Sequence, residues 1–204
     1  MRALLSWSTG KDSAWTLHTL RDQGTEVVGL LTTINEDTDR VSIQGVRREL
    51  LHEQAEAVGL PVWEVPLPSP CSIDEYEQRM GEAIERAVAE GISHVAFGDL
   101  FLADVRAYRE TMLAPTGIKA LFPIWCGEAG TRELADRMLG SGVRAVITCV
   151  DPSQLDPSFA GQSWNPALLP AAVDPLGERG EFHTFCWAGP AFPQPIPIAT
   201  GELI

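Results

Sequence analysis

The sequence predicts an α/β protein of three layers, helices on both faces of a mostly parallel sheet of five or six strands. Three observations lead there. Short β-rich apolar runs alternate with longer stretches of helical spacing up to about residue 150. Glycines stand where several of those helices would end. The last 54 residues break the alternation and hold nine of the fifteen prolines.

The elements follow in order. A first strand is expected at 3–7 and runs into SWSTGKDS at 6–13. A helix at 13–23 and a strand at 26–33 come next. Residues 45–58 carry Val46, Leu50, Leu51 and Ala55 at helical intervals, and Gly59 is placed to end that helix. A strand at 61–65 precedes a helix at 74–89, capped by Asp74 with Glu77 three residues on and closed by Gly91. Strands at 94–97, 119–124 and 144–150, and a helix at 131–139, complete the alternation. Proline removes a donor and fixes φ, so residues 151–204 are expected as loops and short edge strands. They are too few to bury a core alone. They read as an appendage, 151–204, packed on the 1–150 α/β domain within one compact body.

Composition narrows the classes. With 45% hydrophobic and 21% charged residues, the chain resembles an ordinary soluble globular protein. It has no apolar run of membrane-spanning length and no secretory signal pattern. Cys71, Cys126, Cys149 and Cys186 are widely spaced and form no C-x-x-C pair, so reduced thiols and a cytoplasmic location are expected. The net charge of −13, from 28 acidic and 15 basic residues, disfavours a nucleic-acid partner, because such a surface repels a phosphate backbone.

The chemistry starts at the first loop. A strand, then Ser8-Thr9-Gly10-Lys11-Asp12-Ser13, then a helix turns a helix N-terminus toward the strand ends, where ligands of parallel sheets bind. Open amides and the positive end of the helix dipole make an anion site there. Gly10 permits close approach, Ser8, Thr9 and Ser13 offer hydroxyls, and Lys11 offers charge. Asp12 either caps the helix or helps to hold magnesium. The motif is not G-x-x-x-x-G-K-[ST]: the earlier glycine would fall at Leu5, and Asp12 follows the lysine.

Two further stretches carry candidates. In FGDLFLADVRAYRE (97–110), Gly98 ends a strand, Asp99 can help to place magnesium, and Arg106 and Arg109 can hold carboxylate or phosphate. The same residues also suit a capped helix with a charged outer face. In GERGEFHTF (177–185), Glu178, Glu181 and His183 surround a tight turn into a strand. Glu181 and His183, two apart, would share a strand face as an acid/base pair, or merely form the polar side of a hairpin.

STGKDS resembles the SGGKDS signature of the PP-loop ATP pyrophosphatases, with Thr9 in place of the first glycine. Read together with GVRRELL (45–51), the 97–110 stretch, GVRAVITCVDPSQLDPSFAG (142–161) and GERGEFHTF, the chain is similar to the diphthine–ammonia ligase family over most of its length. The resemblance implies a HUP/Rossmann-like fold, with 1–150 as a PP-loop nucleotide-binding domain whose substrate site 151–204 completes, and cleavage of ATP between its α and β phosphates. It implies that Ser8, Thr9, Gly10, Lys11, Asp12 and Ser13 hold the leaving pyrophosphate, with Leu31, Thr32, Thr33 and Gly98 completing the ATP site. Lys11, Glu181 and His183 become the catalytic candidates. Arg106, Arg109, Glu178, Glu181 and His183 become the substrate candidates, and Asp12 and Asp99 the magnesium ligands. The implied reaction activates a carboxylate as an acyl-adenylate for attack by ammonia.

Departures bear on the acceptor. His183 stands where the family pattern has Glu, Asp104 and Val105 where it tends to have Gln and Tyr, and Leu176 where Cys is common. These changes fit the short bacterial members and leave the acceptor open, diphthine or another carboxylate. No glutaminase unit is visible, so ammonia is expected to be used directly or delivered by a partner. A homodimer is compatible with this reading. Two competing readings are adenylation of a tRNA base and a non-catalytic nucleotide sensor. The acidic surface and unpaired cysteines oppose the first; Lys11 and Ser13 in an SGGKDS-type loop oppose the second.

Overall fold

The computed structural model describes residues 1–201; the end of the expected C-terminal appendage, residues 202–204, lies outside them. The elements are β1 (Arg2–Ser6), α1 (Lys11–Asp22), β2 (Glu26–Asn35), β3 (Arg40–Val41), α2 (Arg48–Val58), β4 (Val62–Leu67) and α3 (Ile73–Ala89). They continue with β5 (His94–Ala96), α4 (Ala103–Leu113), β6 (Lys119–Leu121), α5 (Thr131–Gly140), β7 (Arg144–Val150) and β8 (Phe182–Ala188).

Six strands form the central sheet. β1 pairs in parallel with β2 and with β5, β5 with β6, and β2 with β4 on its other edge. β3 is antiparallel and joins Ile34 and Asn35 of β2, on the edge that β1 leaves free where it ends. Alternation along the strands divides the core into two layers. Leu5 and Leu30 face one side with α1, α2 and α5; Leu4 and Leu31 face the other with α3 and the end of α4. Each of these leucines is at most 3% exposed and contributes about 1.5–3 kcal/mol through burial.

Local chemistry sets several boundaries. Gly59 ends α2 in the left-handed conformation. The cap of α3 lies two residues before the expected one: Ser72 accepts from the Glu75 N–H (3.2 Å), and Asp74 and Glu75 fill the first turn.

The largest difference from expectation concerns 144–150. It is a strand, but it leaves the parallel sheet and pairs antiparallel with β8 in a separate two-stranded sheet. β8 is correspondingly no short edge strand. Its Phe182, Phe185 and Cys186 are at most 2% exposed and join the core layer of α1. The C-terminal segment therefore packs against the face of the body that carries the first loop. Among the described residues, no helix is long and apolar enough to cross a membrane.

Candidate active site

β1 ends at Ser6, and the chain passes through Trp7, Ser8 and Thr9 to Gly10, the residue that precedes α1. Gly10 has no side chain to cap the helix, so the Asp12 and Ser13 amides of the first turn of α1 remain available to a ligand. A Cβ at Gly10 would lie 3.2 Å from the Thr184 carbonyl and 3.4 Å from Ser8 Oγ. Glycine lets the loop and β8 approach this closely. Thr184 Oγ1 accepts from the Lys11 N–H (3.2 Å), tying β8 to the helix start. Thr9 has φ 66°, a conformation disfavoured for a β-branched residue. Glycine in the related signature avoids that cost.

A cleft of about 320 Å³ opens over this helix end. Ser8, Gly10, Lys11, Asp12, Ser13, Leu31, Thr33, Gly98, Asp99, Arg109, Glu178 and His183 all line it. Residues from β1, β2, the end of β5, α4 and the turn before β8 thus converge on one place. Gly98 permits part of this convergence, because its Cα lies against the first turn of α1; an added Cβ would be 3.3 Å from the Asp12 carbonyl carbon.

Four expected side chains do not line the cleft. The Thr9 side chain is buried and donates to the Ser8 carbonyl. Thr32 is buried and donates to the Trp7 carbonyl (2.9 Å). Arg106 turns outward, pairs with Glu110 (2.9 Å) and lies over the rings of Phe122 and Trp125. Glu181 does not share a strand face with His183, because β8 begins at Phe182. Its buried carboxylate accepts from the Asp174 N–H (3.1 Å) and the Arg179 N–H (2.9 Å), so it shapes the turn instead of facing the cleft.

The cleft's electrostatics are those of a crowded acidic site around one lysine. Lys11 is 1% exposed; Nζ donates to the Leu176 carbonyl, pairs with Asp12 (3.0 Å) and lies over the rings of Phe182 and Trp164. Burial raises the Asp12 carboxyl above its ordinary range despite Lys11 beside it. Burial also raises Asp99, opposed by Arg109 at 3.4 Å. Glu178 is raised to about 7 through burial and the negative charges of Asp12 and Asp99, although the Leu100 and Phe101 amides donate to it. His183 is lowered by burial and by the Lys11 charge, so its ring is neutral near pH 7.

These residues fit a nucleotide's phosphates and their magnesium. Asp12 Oδ1 is buried without a hydrogen-bond partner, an arrangement a cation would complete. Among the described residues no three His, Cys, Asp or Glu groups converge on a metal position. Magnesium commonly takes one or two carboxylates and fills its shell with water and phosphate oxygens, so two aspartates suffice.

Sequence reasoning missed Thr184, the Leu176 carbonyl, Gln54 and the turn at 42–44, which also borders the cleft. Gln54 had a legible signal: it occupies the apolar stripe of α2, three residues after Leu51 and four before Val58. The contacts of Leu176 and Thr184 had none, since they join residues more than 160 positions apart.

The family model described as the diphthamide synthase N-terminal domain matches residues 1–120. Among solved structures, the chain is similar to a predicted subunit of a tRNA methyltransferase from Methanocaldococcus jannaschii. Identity is 16%, the TM-score is 0.42, and the match covers 68% of this chain and 77% of that one. No curated protein matches the chain. With more than half its length matched, the chain belongs to the diphthamide synthase family, an ATP-using branch of the PP-loop proteins.

Proposed function

We propose that the protein is an ATP-dependent ligase that joins ammonia to a substrate carboxylate through an acyl-adenylate. The observation that carries this reading is the uncapped N-terminus of α1 with buried Lys11, facing Glu178 and His183 across one cleft. A carboxylate does not acylate ammonia by itself, because its leaving group would be oxide. Attack of a carboxylate oxygen on the α phosphorus of ATP breaks the bond to the β-phosphate oxygen. AMP then becomes the leaving group when ammonia attacks the acyl carbon.

The Asp12 and Ser13 amides, the Ser8 and Ser13 hydroxyls and the Lys11 ammonium bind the departing pyrophosphate and stabilise the charge it gains. Leu31 and Thr33 offer a strand edge to the adenine; the Thr33 carbonyl already accepts from the Ser42 N–H (3.0 Å) at that edge. Asp12 and Asp99 would hold magnesium, which supplies charge neutralisation for the phosphates when bound. Arg109, which lines the cleft, would orient the acceptor carboxylate. Attack by ammonia releases a proton, and Glu178, with its carboxyl at about 7, accepts it near neutral pH. His183, neutral there, offers a second acceptor.

The test is product analysis with isotope. The protein is incubated with ATP, magnesium, ammonium and a panel of ¹⁸O-labelled carboxylates. AMP carrying one label, with pyrophosphate and the amide, is expected. Formation of ADP, or unlabelled AMP only, would refute the ligase reading.

A further inference from the structure

Gln54 is 0% exposed on the core side of α2, where an amide is costly unless its hydrogen bonds are made. All of its main ones are. Oε1 accepts from Trp7 Nε1–H (2.8 Å), which fixes which end of the amide faces inward. Nε2 donates to the Thr9 carbonyl (2.9 Å) and to the Cys186 carbonyl (2.7 Å). The Thr9 carbonyl also accepts from the Cys186 N–H (2.9 Å). One side chain thus joins the end of β1, the loop and β8.

We propose that Gln54 is a positioning residue that holds the 8–13 loop in its anion-binding conformation, by pinning the peptide that links Thr9 to Gly10. The proposal rests on the reading of that loop as a pyrophosphate cradle. The peptide unit is planar, so fixing the Thr9 carbonyl fixes the direction of the Gly10 N–H on its other side. Thr9 sits at φ 66°, which a β-branched residue leaves when nothing restrains it. A return to negative φ would rotate that peptide and carry Gly10 and the α1 amides off the cleft. Two donors on one carbonyl, from Gln54 and from Cys186, oppose the rotation. Thr9 Oγ1 adds a local bond to the Ser8 carbonyl and cannot supply this restraint, because it moves with the loop.

The experiment compares wild type, Gln54→Met and Gln54→Met with Thr9→Gly. Methionine keeps the length of the side chain and removes the three bonds. Two quantities are read: amide exchange across residues 9–13 in the free protein, and the affinity for magnesium pyrophosphate. In Gln54→Met, exchange in the loop accelerates and affinity falls, each by at least about tenfold, while the β1 amides of Leu4 and Leu5 keep their protection. Adding Thr9→Gly returns both to within about threefold of wild type, because glycine adopts that φ without restraint. A side chain that only fills space would show no such rescue. Unchanged loop exchange in Gln54→Met, or a double variant as impaired as the single one, overturns the proposal. Wild-type protein that binds neither pyrophosphate nor ATP refutes the functional reading instead, and the exchange comparison still decides the role of Gln54. If Gln54→Met does not fold, Trp7→Phe removes the donor that orients the amide and carries the same comparison.

Discussion

Glu178 keeps its proton where a solvated glutamate has lost it, with a carboxyl pushed up to about 7 from 4.5. A folded-state value above the unfolded one means that the fold binds the proton more tightly. Stability from this group is therefore present below about 4.5 and is lost as pH rises through about 7. Glu178→Gln removes the ionisation and keeps an oxygen for the Leu100 amide. Its melting temperature should match wild type at pH 4 and exceed it by at least about 2 °C at pH 8. His183 and Lys11 are common to both proteins, so the difference isolates Glu178. An equal gap at both pH values would contradict the shift. Lys11 is argued on the same scale. Lys11→Met should cut AMP formation by at least about 100-fold, with the circular dichroism spectrum unchanged. The fold tolerates the loss because Asp12, whose carboxyl is already raised by burial, is ready to go neutral. Undiminished AMP formation would move the site elsewhere.

Among the elements, the contact between the end of β5 and the start of α1 matters most for the cleft. Gly98→Ala would place a methyl group 3.3 Å from the Asp12 carbonyl carbon and 3.4 Å from the Ser13 amide nitrogen. Backbone yields less than a flexible side chain, so the helix start must shift by a few tenths of an ångström. We expect a loss of about 1 kcal/mol in stability and a rise of about tenfold in the KM for ATP. An unchanged KM would mean that the helix end does not meet the nucleotide. Most elements were legible because helical and strand periods differ and glycine marks helix ends. β3 was not, because two residues show no periodicity and are held by bonds to β2. The cap of α3 was misplaced to Asp74 because two candidate caps stand close together; the structure uses Ser72.

For the whole molecule, the C-terminal segment belongs to the core. Trp164, Leu176, Phe182 and Phe185 are at most 3% exposed, in one cluster with Leu5 and Leu17. Their burial is worth about 6–12 kcal/mol together, the scale of a domain's entire stability. A fragment of residues 1–150 should therefore bind a hydrophobic dye and melt without a cooperative transition; it would also leave β7 with an open edge. A cooperative melt of that fragment would show that the segment is dispensable for folding. The sequence by itself determined the α/β alternation, the loop motif and the convergence of Lys11, Asp12, Gly98 and Asp99 at the strand ends. Those follow from local periods and from the rule that parallel strands end on one edge. Only the tertiary structure decided that Glu178 and not Glu181 faces the cleft, that Arg106 turns outward, and that Gln54 braces the loop. Such outcomes depend on which buried amides need an acceptor and which carbonyls a donor, and long-range packing sets those needs.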